Sequence, residues 1–328
     1  MINNIKISVI IPAYNSEITL NKCLNSVRQQ TLSDIEIICI DDRSKDRTPH
    51  ILLKHSQFDL RVKVITLKKN IGLGAVRNLG LQTAQGEYIC FLDSDDFFNE
   101  LTALEQLYKI ALPQHLDIII FSYKKLYTKT HLTISNSHFK NLLPHKIYST
   151  TDDKEKILLN SSIGIAWNKM YKRELIINNN ITFAEKILYE DVLFFFKSII
   201  LAKDIQVVDK DFITYTKSSN TIMKIKNINN IDIIIVYSIV VNFLKTNNLY
   251  ETFEYAFIYK SFGAFFRMLK TIPWVYKQQY LEELHKHIKD INLLKYKDRL
   301  GERFPKYYKL QNINSHNKLS LLLFILFS

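Results

Sequence analysis

Two groups of carboxylates stand at the ends of apolar runs, and their placement limits the chemistry open to this chain. Asp41 and Asp42 close Ile35-Glu36-Ile37-Ile38-Cys39-Ile40, and Asp93-Ser94-Asp95 closes Glu87-Tyr88-Ile89-Cys90-Phe91-Leu92. Runs of this composition are expected to be strands of a parallel sheet covered on both faces. Their carboxylates would then emerge together at the carboxyl edge, where open α/β sheets bind ligands. Like charges gathered there repel one another unless a cation or a sugar hydroxyl satisfies them. Two carboxylates two residues apart can hold Mg²⁺ or Mn²⁺ through oxygen. Such an ion can bridge to a diphosphate and neutralise it as a leaving group.

Four further groups add to that edge. Pro12-Ala13-Tyr14-Asn15 ends the first apolar run, and the Tyr14 ring either stacks on a base or packs in a turn. Asp42, followed by Arg43-Ser44-Lys45-Asp46, either caps a turn or hydrogen-bonds a base or ribose. In Asn70-Ile71-Gly72-Leu73-Gly74-Ala75-Val76-Arg77-Asn78, the glycines suit a helix N-terminus that approaches a phosphate closely. Arg77, one turn in, could reach the same anion. That Gly pair follows the third strand and lacks the third Gly of a dinucleotide fingerprint, which argues against an NAD-linked enzyme. Glu190-Asp191 precedes Val192-Leu193-Phe194-Phe195-Phe196. It is either an acidic first helical turn favoured by the helix dipole or a general base at the site mouth.

Trp167-Asn168-Lys169 reads either as a buried core Trp or as an acceptor pocket with the indole on a sugar face. The nine His show no zinc spacing, and neither a nucleophile elbow nor a P-loop is present.

The elements that must position these groups alternate over the first 125 residues. Strands are expected at Lys6–Ile11, up to Asp41, at Val62–Leu67, up to Leu92 and at Asp117–Tyr123. Helices are expected over Glu17–Gln30, from Asp46 or Thr48 to Lys54, over Leu73–Thr83 and over Leu101–Leu112. This is the pattern of a doubly wound α/β sheet. Thr128–Thr150 reads as a loop or hairpin, and Asp152–Thr216 as apolar helices with two short strands near Ile205 and Phe212. From Asn227 the chain reads as mainly helical. Two domains follow, residues 1–223 and a basic, aromatic helical region over 224–328.

The chain has 328 residues, of which 47% are hydrophobic, enough for a sizeable core. Its net charge is +12. Phe257–Ser328 holds 13 Lys/Arg against 5 Asp/Glu, so two thirds of the excess lies in the last quarter. That segment could face anionic lipid, nucleic acid or an acidic substrate. It carries no nucleic-acid reading motif. Phe257, Phe262, Phe265 and Phe266 lie among Lys260, Arg267 and Lys270, so they read either as a lipid-facing surface or as a packed helical face. Leu319–Phe327 is too short to span a bilayer and reads as a weak anchor or dimer contact. Cys23, Cys39 and Cys90 read as buried, reduced hydrophobes. No signal-peptide pattern precedes the first strand, so a cytoplasmic location is expected.

Taken together, these residues resemble a family-2 glycosyltransferase with the GT-A fold, of the kind that builds bacterial lipopolysaccharide, lipooligosaccharide or capsule. The resemblance is strongest from Ile7 to Phe98, continues through Trp167-Asn168-Lys169 and Glu190-Asp191, and fades after Met223. It implies inverting transfer of a sugar from a nucleotide diphosphate, with Tyr14 and Asp42 on the base and Arg77 near the base or diphosphate. Asp93 would lie on the ribose, Asp95 on Mn²⁺ or Mg²⁺, and Asp191 would be the base that activates the acceptor hydroxyl. Pro12, Ala13, Asn15, Gly74 and Ser94 complete the expected donor site, and Trp167, Lys169 and Glu190 the acceptor site. Arg43 stands where the family often has Gly or Asn. The Gln-x-x-Arg-Trp motif of processive synthases is missing, so transfer of a single sugar to a glycan or glycolipid is expected. The competing expectation is a nucleotide-sugar-binding subunit without activity.

Overall fold

The strand Ile7–Ala13 (β1) is buried along its whole length, as its Ile and Val require when both faces of a sheet are covered. The structure, a computed structural model, describes residues 5–136, 139, 141–161, 165–217 and 228–313. β1 pairs in parallel with Ile35–Asp41 (β2) and Tyr88–Phe91 (β4), and β2 pairs in parallel with Val62–Thr66 (β3). The register sets Ala13 opposite Asp41 and Ile10 opposite Phe91. Pro12–Asn15, Asp41–Asp42 and Asp93–Asp95 therefore leave the sheet at one edge. The crossovers are helices Leu20–Arg28 (α1), Thr48–Phe58 (α2) and Leu73–Thr83 (α3). α1 buries Leu20, Cys23, Leu24 and Val27, one stripe at helical spacing.

Beyond Phe97–Phe98 (β5) and Ala103–Ala111 (α4), the strand Ile118–Tyr127 (β6) resumes the sheet. It pairs with Leu132–Asn136 (β7) as a hairpin. Ile147–Tyr148 (β8) and the helix Thr151–Asn160 (α5) follow. α5 starts with a capping box between Thr150 and Asp153.

Two expectations for this stretch need correction. Lys169–Lys172 is a strand (β9), inserted antiparallel between β4 and β6. The two short strands expected near Ile205 and Phe212 are one strand, Ile205–Lys217 (β10), parallel to β6. Its pairing shifts register around Asp211, so Asp209-Lys210-Asp211 is a bulge inside one strand where the polarity imitates a turn. The helices Arg173–Asn178 (α6) and Asp191–Leu201 (α7) complete this half. The ten-stranded, mixed sheet runs β3-β2-β1-β4-β9-β6-β10-β5, with β7 beside β6 and β8 beside β10. Cys39 on β2, Cys90 on β4 and Cys23 on α1 are buried free thiols.

The chain divides into two units: Met1–Lys186 with Glu190–Asn220, which carries the sheet, and Ile187–Tyr189 with Thr221–Ser328. The second is helical, built from Asp232–Thr246 (α8), Tyr250–Thr271 (α9), Trp274–Ile288 (α10), Lys297–Leu300 (α11) and Phe304–Gln311 (α12). Its core takes in Tyr237, Val240, Phe257, Phe262, Phe265, Leu269 and Leu284. The Tyr280 hydroxyl donates to the Phe265 carbonyl at 3.0 Å. Phe257, Phe262 and Phe265 are thus core residues of the helical unit and cannot form the lipid-facing surface considered for them. Phe266 alone of the four is half-buried. Leu319–Phe327 lies outside the described residues.

Candidate active site

The site begins where β1 ends. Pro12 and Ala13 are buried, and Tyr14 is the first exposed side chain, at 46%. Asn15 adopts φ 49° and ties two strand ends together. Its N–H donates to Ser44 Oγ at 2.9 Å, and its Oδ1 accepts from the Lys45 N–H at 2.8 Å. Asn15 thus braces the loop that presents Tyr14.

Asp42 is buried at the end of β2. Its Oδ1 accepts from Ile71 N–H at 2.7 Å and its Oδ2 from Gly72 N–H at 3.0 Å. Asp42 therefore holds the turn into α3, while the turn that follows it in sequence is held by Asp41 and Asp46, which accept from Ser44 N–H and Thr48 N–H. Each Asp42 oxygen retains further lone-pair capacity toward a ligand.

Gly74 has a different task from the expected approach to a phosphate. A Cβ there would lie 2.0 Å from the Ala184 carbonyl oxygen and 3.2 Å from Glu190 Cβ. The glycine lets α3 pack directly on Ala184 and Glu190. Gly72, at φ 85° with open space around it, is the residue required by conformation. Gly74→Ala should lower stability by about 1–3 kcal/mol through overpacking, read as a lower midpoint in urea. An unchanged midpoint would mean that the Ala184 segment yields freely.

Arg77 is the largest departure from expectation. It is 2% exposed, and its guanidinium binds three carboxylates. Nη1 donates to Glu190 Oε1 at 2.8 Å and to Asp191 Oδ1 at 2.7 Å, while Nη2 donates to Asp93 Oδ1 at 2.7 Å. Only Nε lacks a hydrogen-bond partner. The planar fork matches this arrangement, which an ammonium would meet only as a point charge. Arg77 thus joins residues far apart in sequence instead of reaching toward an anion. Its neighbour Asn78, which sequence reasoning passed over, holds the same region. Asn78 donates to the Phe183 carbonyl and Glu185 Oε1, and accepts from Phe183 N–H at 2.8 Å.

Glu190 stands just before α7 without a side-chain capping bond, and Asp191 begins the first turn. Burial pushes the Glu190 carboxyl up, the adjacent Asp191 pushes it further, and Arg77 opposes both. The two carboxylates share the Arg77 Nη1 donor. Asp191 is buried beside them.

The acidic turn after β4 holds three carboxylates. Asp93 bonds to Arg77, and Ser94 Oγ lies 2.7 Å from Ser16 Oγ, so Ser94 links the turn to the β1 loop. Burial, followed by the charge of Asp93, pushes Asp95 up to about 6. Asp96, also overlooked in the sequence, is buried. Its Oδ1 accepts from Thr216 N–H at 2.7 Å and its Oδ2 has no partner. Burial and then the charges of Asp95 and Asp93 push it well above the usual carboxylate range. The acidic residue directly after Asp95 was the signal available in the sequence. Its pairing with β10 had none.

Two acceptor-site expectations are corrected. Trp167 is buried, its ring 4.6 Å from Tyr123 and stacked on Tyr215 at 5.5 Å, which is the core-Trp alternative. Lys169 is fully buried, and its Nζ donates at 2.7 Å to both the Ile165 carbonyl and Asn168 Oδ1. Burial lowers its amine to about 7, with Asp191 pulling the other way. Neither side chain is open to a sugar. Burial, and then the charges of Asp96, Asp95 and Asp93, push the Tyr215 hydroxyl up.

An exposed ring beside strand ends, an acidic turn and an arginine that gathers carboxylates thus meet at one edge of the sheet. The chain belongs to glycosyl transferase family 2, whose family model matches residues 8–178. It is 35% identical over 226 residues to the cholesterol galactosyltransferase of Borreliella burgdorferi, a match covering 65% of this chain and 61% of that protein. It is 34% identical over 219 residues to the poly(ribitol-phosphate) beta-N-acetylglucosaminyltransferase TarS of Staphylococcus aureus, covering 65% and 36%. The matches thus span less than two thirds of either relative. Among solved structures, S. aureus TarS 1–349 in complex with UDP superposes with a TM-score of 0.66 at 25% identity, covering 93% of this chain and 90% of that one. The mannosyltransferase PcManGT of Pyrobaculum calidifontis, solved with GDP-Man and Mn²⁺, shares the fold at 12% identity and a TM-score of 0.53, covering 99% and 88%.

Proposed function

We propose that this chain is an inverting, metal-assisted glycosyltransferase. It would move one sugar from a nucleotide diphosphate, a UDP-hexose or UDP-N-acetylhexosamine, to a glycan or glycolipid acceptor of the bacterial surface. The observation that carries the reading is the Arg77 fork, which ties Asp93 on the strand-edge side to Asp191 at the start of α7. The UDP complex of TarS supports the choice of base, and the sugar transferases among the relatives support the reaction.

In this reading the exposed Tyr14 ring stacks on the base beside Asp42, and Asp93 meets the ribose. Asp191 takes the proton from the acceptor hydroxyl. That oxygen attacks the anomeric carbon on the face opposite the diphosphate. The sugar–phosphate C–O bond breaks, its electrons leave with the nucleotide, and the configuration inverts. Arg77 fixes the direction of Asp191 and binds Glu190 through the same nitrogen.

The acidic turn fits a hard divalent cation: its donors are all carboxylate oxygens, burial and Asp93 push Asp95 up to about 6, and Asp96 Oδ2 is buried without a partner. Among the described residues no three His, Cys, Asp or Glu gather to hold a metal by themselves, so phosphate and water would complete the shell. Asp95, with Asp93 beside it, would hold Mn²⁺ or Mg²⁺. The bound ion would supply charge neutralisation of the departing diphosphate.

Calorimetric titration with UDP, with and without Mn²⁺, tests the donor half. Binding should tighten with the metal, and Asp95→Asn should remove that gain together with turnover. Full activity in Asp95→Asn would end the metal role. The whole reading is tested by incubating the purified protein with UDP-sugars and following UDP release. Retained UDP binding with no turnover would reassign the chain to a nucleotide-sugar-binding subunit. No described helix is long and apolar enough to cross a membrane. The reading places the chain peripherally, at the cytoplasmic face of the inner membrane, because its acceptor would be a lipid-linked surface glycan.

A further inference from the structure

One corner of the helical unit exposes apolar side chains that its own packing does not use. α9 ends at Thr271, Ile272 is buried, and Pro273 precedes the first turn of α10. The next two residues, Trp274 and Val275, are 56% and 75% exposed. Single exposed apolar residues are ordinary. A Trp beside a Val at a helix corner is different, because an indole combines an apolar body with a wet N–H and favours the interface between water and lipid.

Cations lie on the neighbouring turns of α9, α10 and α12, and the one at the indole, Lys277, is itself buried. Lys277 Nζ lies 5.5 Å from the centre of the Trp274 ring. Lys270 Nζ and Lys306 Nζ lie 4.7 Å and 5.9 Å from the centre of the same Phe266 ring. Arg267, Lys270 and Lys306 are exposed. Among the described residues, which include every Asp and Glu of the chain, Arg267 and Lys306 form no ion pair. The ion pairs found near the corner in sequence join other residues, Lys286 to Glu283 and Lys295 to Glu254.

We propose that this corner docks on an anionic phospholipid surface. Trp274 and Val275 enter the headgroup layer, while Arg267, Lys270 and Lys306 meet lipid phosphates. Two apolar side chains at a helix corner, with exposed cations on the preceding turns of α9 and on α12, suit a headgroup layer better than a protein partner, whose stable interface needs about 800 Å² on each side. The attraction is electrostatic at approach and apolar at contact, so both halves are required for tight docking. The inference deepens the membrane-side part of the reading above and is independent of the transfer chemistry.

The test uses the full chain, vesicles of phosphatidylcholine alone, and vesicles of phosphatidylcholine mixed with phosphatidylglycerol. Of the two tryptophans in the chain, Trp167 is buried. Trp167→Phe therefore leaves Trp274 as sole reporter, and a wild-type minus Trp274→Phe difference spectrum serves if that variant does not fold. Only the mixed vesicles should shift Trp274 emission to the blue and shield it from acrylamide. In co-sedimentation, Trp274→Ser with Val275→Ser should weaken binding about tenfold, from the lost burial of apolar surface. Lys270→Gln with Lys306→Gln should weaken it about fivefold per cation, and added salt should mimic that loss.

Equal binding to both vesicle types, or binding unchanged in both double variants, would overturn the proposal. So would a Trp274 already shielded before vesicles are added, which would give the corner to a second copy or to the chain's own C-terminal residues. No nucleotide sugar enters this assay, so its failure leaves the transferase reading standing, and a failed UDP-sugar assay leaves this result standing.

Discussion

Asp191→Asn should lower kcat by about 10²–10⁴-fold, the usual contribution of a positioned general base, with UDP affinity preserved. Asparagine keeps the shape and one carbonyl oxygen, so the hydrogen bond from Arg77 can survive. It cannot accept the proton of an acceptor hydroxyl. The change therefore removes a step in the reaction while leaving most of the packing intact. Initial rates over a range of donor concentrations, with UDP titration on the same sample, separate the two possibilities. A large loss of UDP affinity would move Asp191 into the donor site. An unchanged kcat would end its role as base and direct attention to Glu190, which accepts from the same Arg77 nitrogen.

Arg77 is the second position with a large expected effect. Arg77→Met would leave Asp93, Glu190 and Asp191 gathered around an uncharged side chain. Removing one partner of a buried ion pair typically costs about 3–5 kcal/mol, because the remaining charge is left uncompensated. Asp93 keeps 27% of its side chain exposed, so water screens its share and the lower end of that range applies to it. A sharp fall in the urea midpoint is expected.

Arg77→Lys separates charge from geometry. The cation remains, so much of the stability should return. The fork that holds Asp93 and Asp191 in one plane does not, and a misplacement of the base by about 1 Å can cost about 10²-fold in rate. Lysine should therefore rescue the midpoint more than it rescues kcat. Equal recovery of both would mean that Arg77 supplies only charge, and the proposed orientation of Asp191 would need another source.

The contrast between β1 and β10 shows how the fold was written in the chain. β1, β2 and β4 are continuous apolar runs, and burial on both faces leaves such runs few alternatives. Their ends, at Ala13, Asp41 and Asp93, were legible because parallel register carries them to one edge. β10 was read as two strands because Asp209-Lys210-Asp211 has the polarity of a turn. The neighbouring strand β6 is long enough to pair across the bulge, and only the assembled sheet reveals that. Trp167 and Lys169 were ambiguous for a similar reason. An aromatic or a lysine can line a pocket or fill a core, and the rings of Tyr123 and Tyr215 decide the first case. The carbonyl of Ile165 and the amide of Asn168 decide the second.

By itself, then, the sequence determined the sheet edge, the acidic turn and the family, because local periodicity and short motifs encode them within a few dozen residues. Tertiary structure alone decided what Arg77 does. Its partners lie 16, 113 and 114 residues away, and no local pattern specifies a contact at that separation. The side chain could have faced a ligand phosphate with the same motif around it. Packing of α3 against Ala184, made possible by the missing Cβ of Gly74, brings Glu190 and Asp191 within reach of its fork. Three carboxylates then outcompete solvent for a guanidinium that burial has already stripped of water.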